Sequence, residues 1–329
     1  MTVRVGFVGT GGIAHLHMAH LKQIEEAEVV AMYDVAVGRA QAAAASFPGC
    51  KAYDSYQQML DQAELNALWV CLPPFAHEQQ EIQAAAAGIN LFIEKPIAIT
   101  IEKALEIDEA IANSGIISAV GYNWRWLDTT DRVLDVLQDS PIALALGFWL
   151  GGMPGVPWWR RKDQSGGQIV EQTTHIFDLA RYYLGEVKQV YAVGFQGQMQ
   201  DIENYDTEDA STVILEFESG TIANISSTDL LPSGAGKIGL ELIARDLRIE
   251  QSSHSVTFYR RGERTTHDAQ VDPYFREDEA FIDAVARGDG SALRCRYADA
   301  LRTHLVTMAA NRSLASGKPE SVGQPRPVC

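Results

Sequence analysis

Apolar residues in the first third of the chain fall into short, nearly unbroken strings separated by stretches with helical spacing. The strings are Val3 to Val8, Val29 to Tyr33, a weaker one near Lys51 to Tyr53, Leu68 to Leu72, Asn90 to Ile93 and Ile116 to Gly121. A strand buried on both faces loses the in-and-out alternation of a half-solvated one, so these strings predict a parallel sheet covered by helices. The intervening helices include Ala76 to Ala87, closed by Gly88, and Ile101 to Asn113, closed by Ser114 and Gly115, because glycine turns a chain out of a helix at little steric cost. The alternation of strand and helix predicts a doubly wound α/β domain over 1–122.

Beyond Asn123 the period changes. One helix around Thr130 to Gln138 precedes alternating segments at 143–150, 188–198, 211–229 and 237–261, two of which break at Glu218-Ser219-Gly220 and Arg245-Asp246 as hairpins do. This pattern predicts a large, mainly antiparallel open sheet, with helices at 168–184, 274–287 and 297–316 on one face. The second domain, 123–329, is therefore expected to be α+β, with the boundary between Gly121 and Arg125. So few helices leave the other face of the sheet apolar and uncovered, which predicts a homodimer or homotetramer assembled through it.

Charge narrows the partners. Forty-three acidic residues against 27 basic ones give a formal charge of −16, which repels phosphate backbones and anionic lipid surfaces, so neither nucleic acid nor membrane is expected. The N-terminal stretch has no cleavable signal pattern and no segment has the run of apolar residues a bilayer span needs, which points to the cytoplasm. Cys50, Cys71, Cys295 and Cys329 show neither CxxC nor Cys/His ligand spacing, so reduced thiols are expected and no metal site is signalled.

Directly after the first strand comes Gly9-Thr10-Gly11-Gly12-Ile13-Ala14, matching GxGxxA at the head of a helix. Gly9 suits the tight turn, Gly11 close approach of a pyrophosphate to the backbone, and Ala14 close packing of helix on sheet, with Gly12 and Ile13 completing the loop. Asp34 ends the second strand, where a carboxylate accepts hydrogen bonds from the adenosine ribose and repels a 2′-phosphate, so NAD is expected over NADP. The fifth strand ends in Ile93-Glu94-Lys95-Pro96, at the sheet edge where open α/β folds bind ligands. The proline biases Lys95 away from helical geometry and allows a cis bond. Farther on, Glu171, His175 and Asp178 are spaced i, i+4, i+7, one face of a helix, and Tyr182 extends the stripe.

The motifs GTGGIA at 9–14, Asp34, CLPPFAH at 71–77, IEKP at 93–96, GYNWR at 121–125 and GGQIVEQTTHIFDLARYYLGEV at 166–187 occur in the order found in the glucose-fructose oxidoreductase, inositol dehydrogenase and MocA-like (Gfo/Idh/MocA) family, which the chain resembles over nearly its whole length. The resemblance implies hydride transfer between nicotinamide and a secondary alcohol carbon of a sugar, inositol or related polyol. It places Lys95 near the reacting oxygen, makes His175 the acid/base, and brings Asn123 to the substrate. Glu94 goes with the cofactor, and the segment from Pro73 to His77 borders the nicotinamide, although His77 could equally be only a helix-start histidine. Asp178 would orient the imidazole or bind a substrate hydroxyl. Glu171 stands where many relatives have aspartate, so the geometry around the substrate is expected to differ. Trp124, Trp126, Trp149, Trp158 and Trp159 crowd the stretch before the acid/base helix. Trp158 is a candidate platform for a sugar ring, and Arg125 a candidate ligand for an acidic or phosphorylated one. Two other functions fit the same motifs: a nucleotide-binding sensor without turnover, and NAD-dependent glycoside cleavage through transient oxidation.

Overall fold

The computed structural model describes residues 1–323 of the chain, so Cys329 lies outside the described residues. It divides into two compact units, 1–123 with 272–301, and 124–271 with 302 onward. In chain order the first unit comprises β1 (Val3–Val8), α1 (Gly12–Leu21), β2 (Ala27–Tyr33), α2 (Val37–Ala44), β3 (Lys51–Tyr53), α3 (Tyr56–Gln62), β4 (Ala67–Val70), α4 (Gln80–Ala86), β5 (Asn90–Ile93), α5 (Ile101–Ser114) and β6 (Ser118–Val120). The six strands form one parallel sheet in the order β3-β2-β1-β4-β5-β6. The order reverses between β1 and β4, and ligands of such sheets bind outside the strand ends at that switch point. The strands match the six apolar strings. The helix expected from Ala76 begins at Gln80 instead, because Pro74–Ala76 forms a 3₁₀ turn and His77 follows in extended conformation.

The second unit opens with α6 (Asp128–Leu137), β7 (Leu144–Leu150), α7 (Lys162–Ser165), α8 (Gln168–Glu171) and α9 (Thr174–Leu184). It continues with β8 (Val187–Phe195), β9 (Ala210–Phe217), β10 (Ile222–Thr228), β11 (Lys237–Ala244), β12 (Leu247–Gln251), β13 (Ser255–Arg260) and β14 (Glu263–Asp268). Next in the chain come α10 (Pro273–Arg287), which belongs to the first unit, α11 (Tyr297–Ser316), which runs across the division at 301/302, and β15 (Glu320–Ser321) of the second unit. Nine strands make one sheet in the order β14-β13-β12-β11-β7-β10-β9-β8-β15, antiparallel except for the parallel pair of β7 and β10. Both expected hairpins form, with Gly220 and Asp246 at positive φ in their turns.

One face of this sheet carries the unit's core: Val213, Leu215, Ala223, Ile225, Leu240 and Leu242 pack with Ile176, Leu179 and Ala180 of α9. Alternation sends Tyr191, Val193, Phe195, Ile214 and Ile222 to the opposite face, where they are 37%, 51%, 52%, 51% and 50% exposed.

The linear division at 122/123 needs one correction. Segment 272–301 belongs to the first unit, because α10 is amphipathic and its apolar side covers the parallel sheet: the Phe281 ring meets Trp69 edge-on at 5.2 Å and Phe92 at 5.6 Å, and Trp69 stacks on Phe92 at 5.4 Å. The main chain of the same segment satisfies part of the edge strand, Val120 N donating to Cys295 O at 3.1 Å.

Candidate active site

The turn between β1 and α1 has the geometry of a phosphate cradle. Gly9 sits at φ +82°, and a Cβ there would lie 2.3 Å from the Cys71 carbonyl oxygen, so only glycine fits. Gly11 caps α1 with no side-chain hydrogen bond, and a Cβ at Gly11 or Gly12 would meet nothing within 4 Å. The first amides of a ten-residue helix thus face an open backbone surface, while Ala14, fully buried, lets the helix lie close on the sheet. A dinucleotide pyrophosphate fits both features, the room and the positive helix end. Ile13, half-buried, flanks the opening.

Asp34 holds this turn together. Its Oδ2 accepts from Thr10 N at 2.9 Å and from the Thr10 hydroxyl at 3.0 Å, and its Oδ1 accepts from Ala36 N at 2.8 Å and from Arg39 Nη2 at 2.7 Å. Burial works to raise the carboxyl's pKa, but the bonds from Arg39, Thr10 and Ala36 outweigh it and hold the group below the usual aspartate value. The expected repulsion of a 2′-phosphate is thereby blunted, since the Asp34 charge is paired with a guanidinium.

Two other residues expected at the cofactor turn inward. The Glu94 carboxylate lies 2.9 Å from His17 Nε2, and His77 Nδ1 lies 2.5 Å from Glu81 Oε1, all four side chains being buried. Pro73 precedes the 3₁₀ turn. Lys95 is half-buried and its bond to Pro96 is cis. Asn123 is buried at the start of a 3₁₀ turn, its Oδ1 without a partner among the described residues and its amide paired with Tyr274.

In the second unit the acid/base stripe is not one continuous helix. Gly166 and Gly167, at φ +78° and +82°, lead into α8, where a Cβ on Gly166 would strike Val170 at 2.8 Å. The chain then widens: both Gln172 N and Thr173 N bond to Gln168 O, at 3.1 and 2.9 Å. A five-residue closure of this kind is a π-type turn, which offsets the residues before it from those after it. Glu171 and His175 therefore lie on different helices and do not share a stripe. Glu171 Oε2 accepts from Trp159 Nε1 at 2.8 Å, and the buried Trp159, not the half-buried Trp158, is the indole that meets this carboxylate. His175 stacks on Trp149 of β7, ring centroids 5.7 Å apart and planes at 16°.

Asp178 and Arg125, both singled out in the sequence, pair with each other. Arg125 Nε and Nη2 donate to the two oxygens of Asp178 at 2.7 and 2.6 Å, and the Thr303 hydroxyl adds a third bond at 2.8 Å. Arg125 also lies 4.6 Å over the Tyr182 ring. Asp178 is thus the anchor of a buried network. Periodicity had no means of showing a partner 53 residues away. The Trp149 stack was signalled only as one of several tryptophans.

Comparison with known proteins identifies the family. A family described as oxidoreductases with an NAD-binding Rossmann fold matches residues 3–122, and the Gfo/Idh/MocA C-terminal domain matches 143–250. An oxidoreductase of Bacillus subtilis is 25% identical over 96% of both chains. Myo-inositol 2-dehydrogenase of Thermotoga maritima is 26% identical over 69% of this chain and 68% of its own, and D-glucoside 3-dehydrogenase of Escherichia coli is 29% identical over 67% and 68%. Among solved structures, levoglucosan dehydrogenase with NADH superimposes over 99% of this chain and 100% of its own with a TM-score of 0.88 at 19% identity, a likeness of fold.

Proposed function

The chain belongs to the Gfo/Idh/MocA oxidoreductase family and carries its NAD-binding Rossmann domain; on that premise we propose that it transfers a hydride between NAD and a secondary alcohol carbon of a sugar, inositol or related polyol. The observation that carries this proposal is the open backbone at Gly11 and Gly12 over the head of α1, held in place by Asp34. The substrate class is supported by the relatives named as inositol and glucoside dehydrogenases.

When bound, the nicotinamide supplies the hydride acceptor or donor. Gly9, Gly11, Gly12 and the first amides of α1 would hold the pyrophosphate, and Asp34 would face the adenosine ribose. His175 takes the hydroxyl proton in oxidation and returns it in reduction, because both Asp178 oxygens are engaged by Arg125 and proton transfer falls to the imidazole. The Trp149 stack fixes the ring plane. Lys95 stabilises negative charge developing on the substrate oxygen. Glu171, with one oxygen on Trp159, and Asn123 contribute polar contacts to the polyol.

Assembly into a homodimer or homotetramer through the outer face of the nine-stranded sheet belongs to the same proposal. It is supported by the exposed row Tyr191, Val193, Phe195, Ile214 and Ile222.

The test is a panel of sugars, inositols and their keto forms, assayed for NAD reduction or NADH oxidation with wild type, Lys95→Ala and His175→Ala. Turnover of one member that falls in kcat by about a hundredfold or more in each variant is expected. A true substrate whose kcat is unchanged by both substitutions overturns the assignment of roles.

A further inference from the structure

The first unit buries a second group of ionisable side chains. His17, on α1 one turn past the cradle, is fully buried and faces a carboxylate with each ring nitrogen. Its Nδ1 lies 2.8 and 3.0 Å from the two oxygens of Asp278, and its Nε2 lies 2.9 Å from Glu94 Oε1. Asp278 also accepts from Trp69 Nε1 at 3.1 Å and lies 3.1 Å from His20 Nδ1, whose other nitrogen faces Asp272 at 3.3 Å. Glu277, beside Asp278 on α10, is buried with no partner for either oxygen among the described residues, and it shares a 4.8 Å cluster with His17 and Glu94. The rings of Phe92 and Tyr274 close the site at 5.1 and 6.3 Å from the imidazole.

A neutral imidazole has one N–H and can donate to only one of two ionised carboxylates. His17 satisfies both only as an imidazolium, and a buried charge of this kind persists only when paired. Burial opposes protonation of His17, but the charges and hydrogen bonds of Asp278 and Glu94 outweigh it and raise its pKa well above the usual histidine value. Burial and the Glu94 charge, partly offset by His17, raise Glu277 well above the usual carboxyl value. The carboxylate of Glu94 is confined from the other side as well: a Cβ on Gly121 would lie 2.4 Å from its Oε1.

Glu94 is the residue before Lys95. We propose that His17 is a positioning residue for Lys95: as an imidazolium clamped between Glu94 and Asp278, it fixes the end of β5 to the helix that heads the dinucleotide cradle. Without that charge the buried Glu94 side chain loses its partner and must turn toward another donor, and the peptide it shares with Lys95 moves with it. The clamp is a property of the first unit alone, while its consequence for turnover rests on the role of Lys95 proposed above.

The experiment uses full-length protein with NADH bound, labelled with ¹⁵N-histidine and ¹³C-lysine. At about pH 8, where an ordinary histidine is neutral, His17 is expected to show two protonated ring nitrogens. A single protonated nitrogen overturns the clamp. In His17→Gln, and in Glu94→Gln should the first variant not fold, the Lys95 side-chain resonance is expected to shift while the NADH dissociation constant changes by less than about threefold; an unmoved Lys95 resonance overturns the positioning role. With a substrate in hand, kcat is expected to fall by about tenfold in each single variant and no further in the double variant, whereas losses that multiply show the two residues act independently. Glu277→Gln should leave the His17 spectrum and kcat unchanged. A stoichiometric divalent cation in the purified protein, whose removal alters the His17 signals, would make these groups metal ligands and overturn the imidazolium. Failure of the polyol panel would leave both NMR results standing, so the two proposals fail separately.

Discussion

Arg125 and Asp178 meet fork to fork, with two hydrogen bonds of 2.7 and 2.6 Å between side chains that are almost wholly buried. Such a pair contributes little net stability against a well-packed apolar substitute, but breaking one partner strands a charge. Asp178→Asn is therefore expected to destabilise the fold by about 3–5 kcal/mol, and Arg125→Met to do the same, with the double variant less damaging than the sum. Denaturant melts of the three variants check this. A large loss of kcat in Asp178→Asn with an unchanged melt would return Asp178 to the chemistry.

Cofactor preference turns on Asp34 and Arg39. The Arg39 side chain is 59% exposed and neutralises the carboxylate that should repel a 2′-phosphate. Arg39→Ala is expected to leave Asp34 fully effective and to lower NADP affinity by about fivefold or more, with NAD affinity nearly unchanged. Asp34→Ala removes the two bonds to Thr10 as well, so NAD should weaken by about tenfold while NADP loses less. Fluorescence titration of both reduced cofactors measures the pairs of constants; equal weakening of both by Asp34→Ala contradicts the assignment.

The sequence was most legible where one residue type answers to one local constraint. The six parallel strands could be placed because strands buried on both faces read as unbroken apolar strings, and Gly9 because only glycine tolerates that turn. Period failed where tertiary structure intervened. A 3.6-residue repeat carries straight through 168–184, yet Thr173 N reaches five residues back to Gln168 O and separates Glu171 from His175. The match of α10 to the first unit depends on Phe281 meeting Trp69, 212 residues earlier in the chain by their numbers, and no local pattern records that. Glu94 and His77 could be placed along the chain, but a position does not say which way a side chain turns, and both face buried partners.

On the outer face of the large sheet, Tyr191 and Ile214 are cross-strand partners, and both are exposed. If this face is the subunit contact, Ile214→Glu places a charge in the middle of an apolar interface and light scattering should show a smaller species, with the circular dichroism of the fold retained. A wild-type monomer at micromolar concentration would remove the assembly from the proposal.

Asp229 carries a pH dependence whose sign is fixed by its surroundings. Burial pushes its carboxyl up to about 6; the hydrogen bond from the Tyr205 hydroxyl, 2.8 Å from Oδ2, acts in the opposite direction, and the neighbouring Asp209 charge adds to the rise. In the unfolded chain the same carboxyl titrates near the ordinary aspartate value, so between about pH 4 and 6 the folded state binds more protons than the unfolded one. This contribution is therefore fully present below the ordinary value and is lost as pH rises through about 6. Asp229→Asn keeps an oxygen to accept from Tyr205 and cannot ionise. The variant should melt a few degrees higher than wild type at neutral pH, match it in acid, and show a flatter dependence of Tm on pH across the window. Parallel Tm profiles for the two proteins would mean that Asp229 titrates alike in both states and that its burial is relieved by solvent.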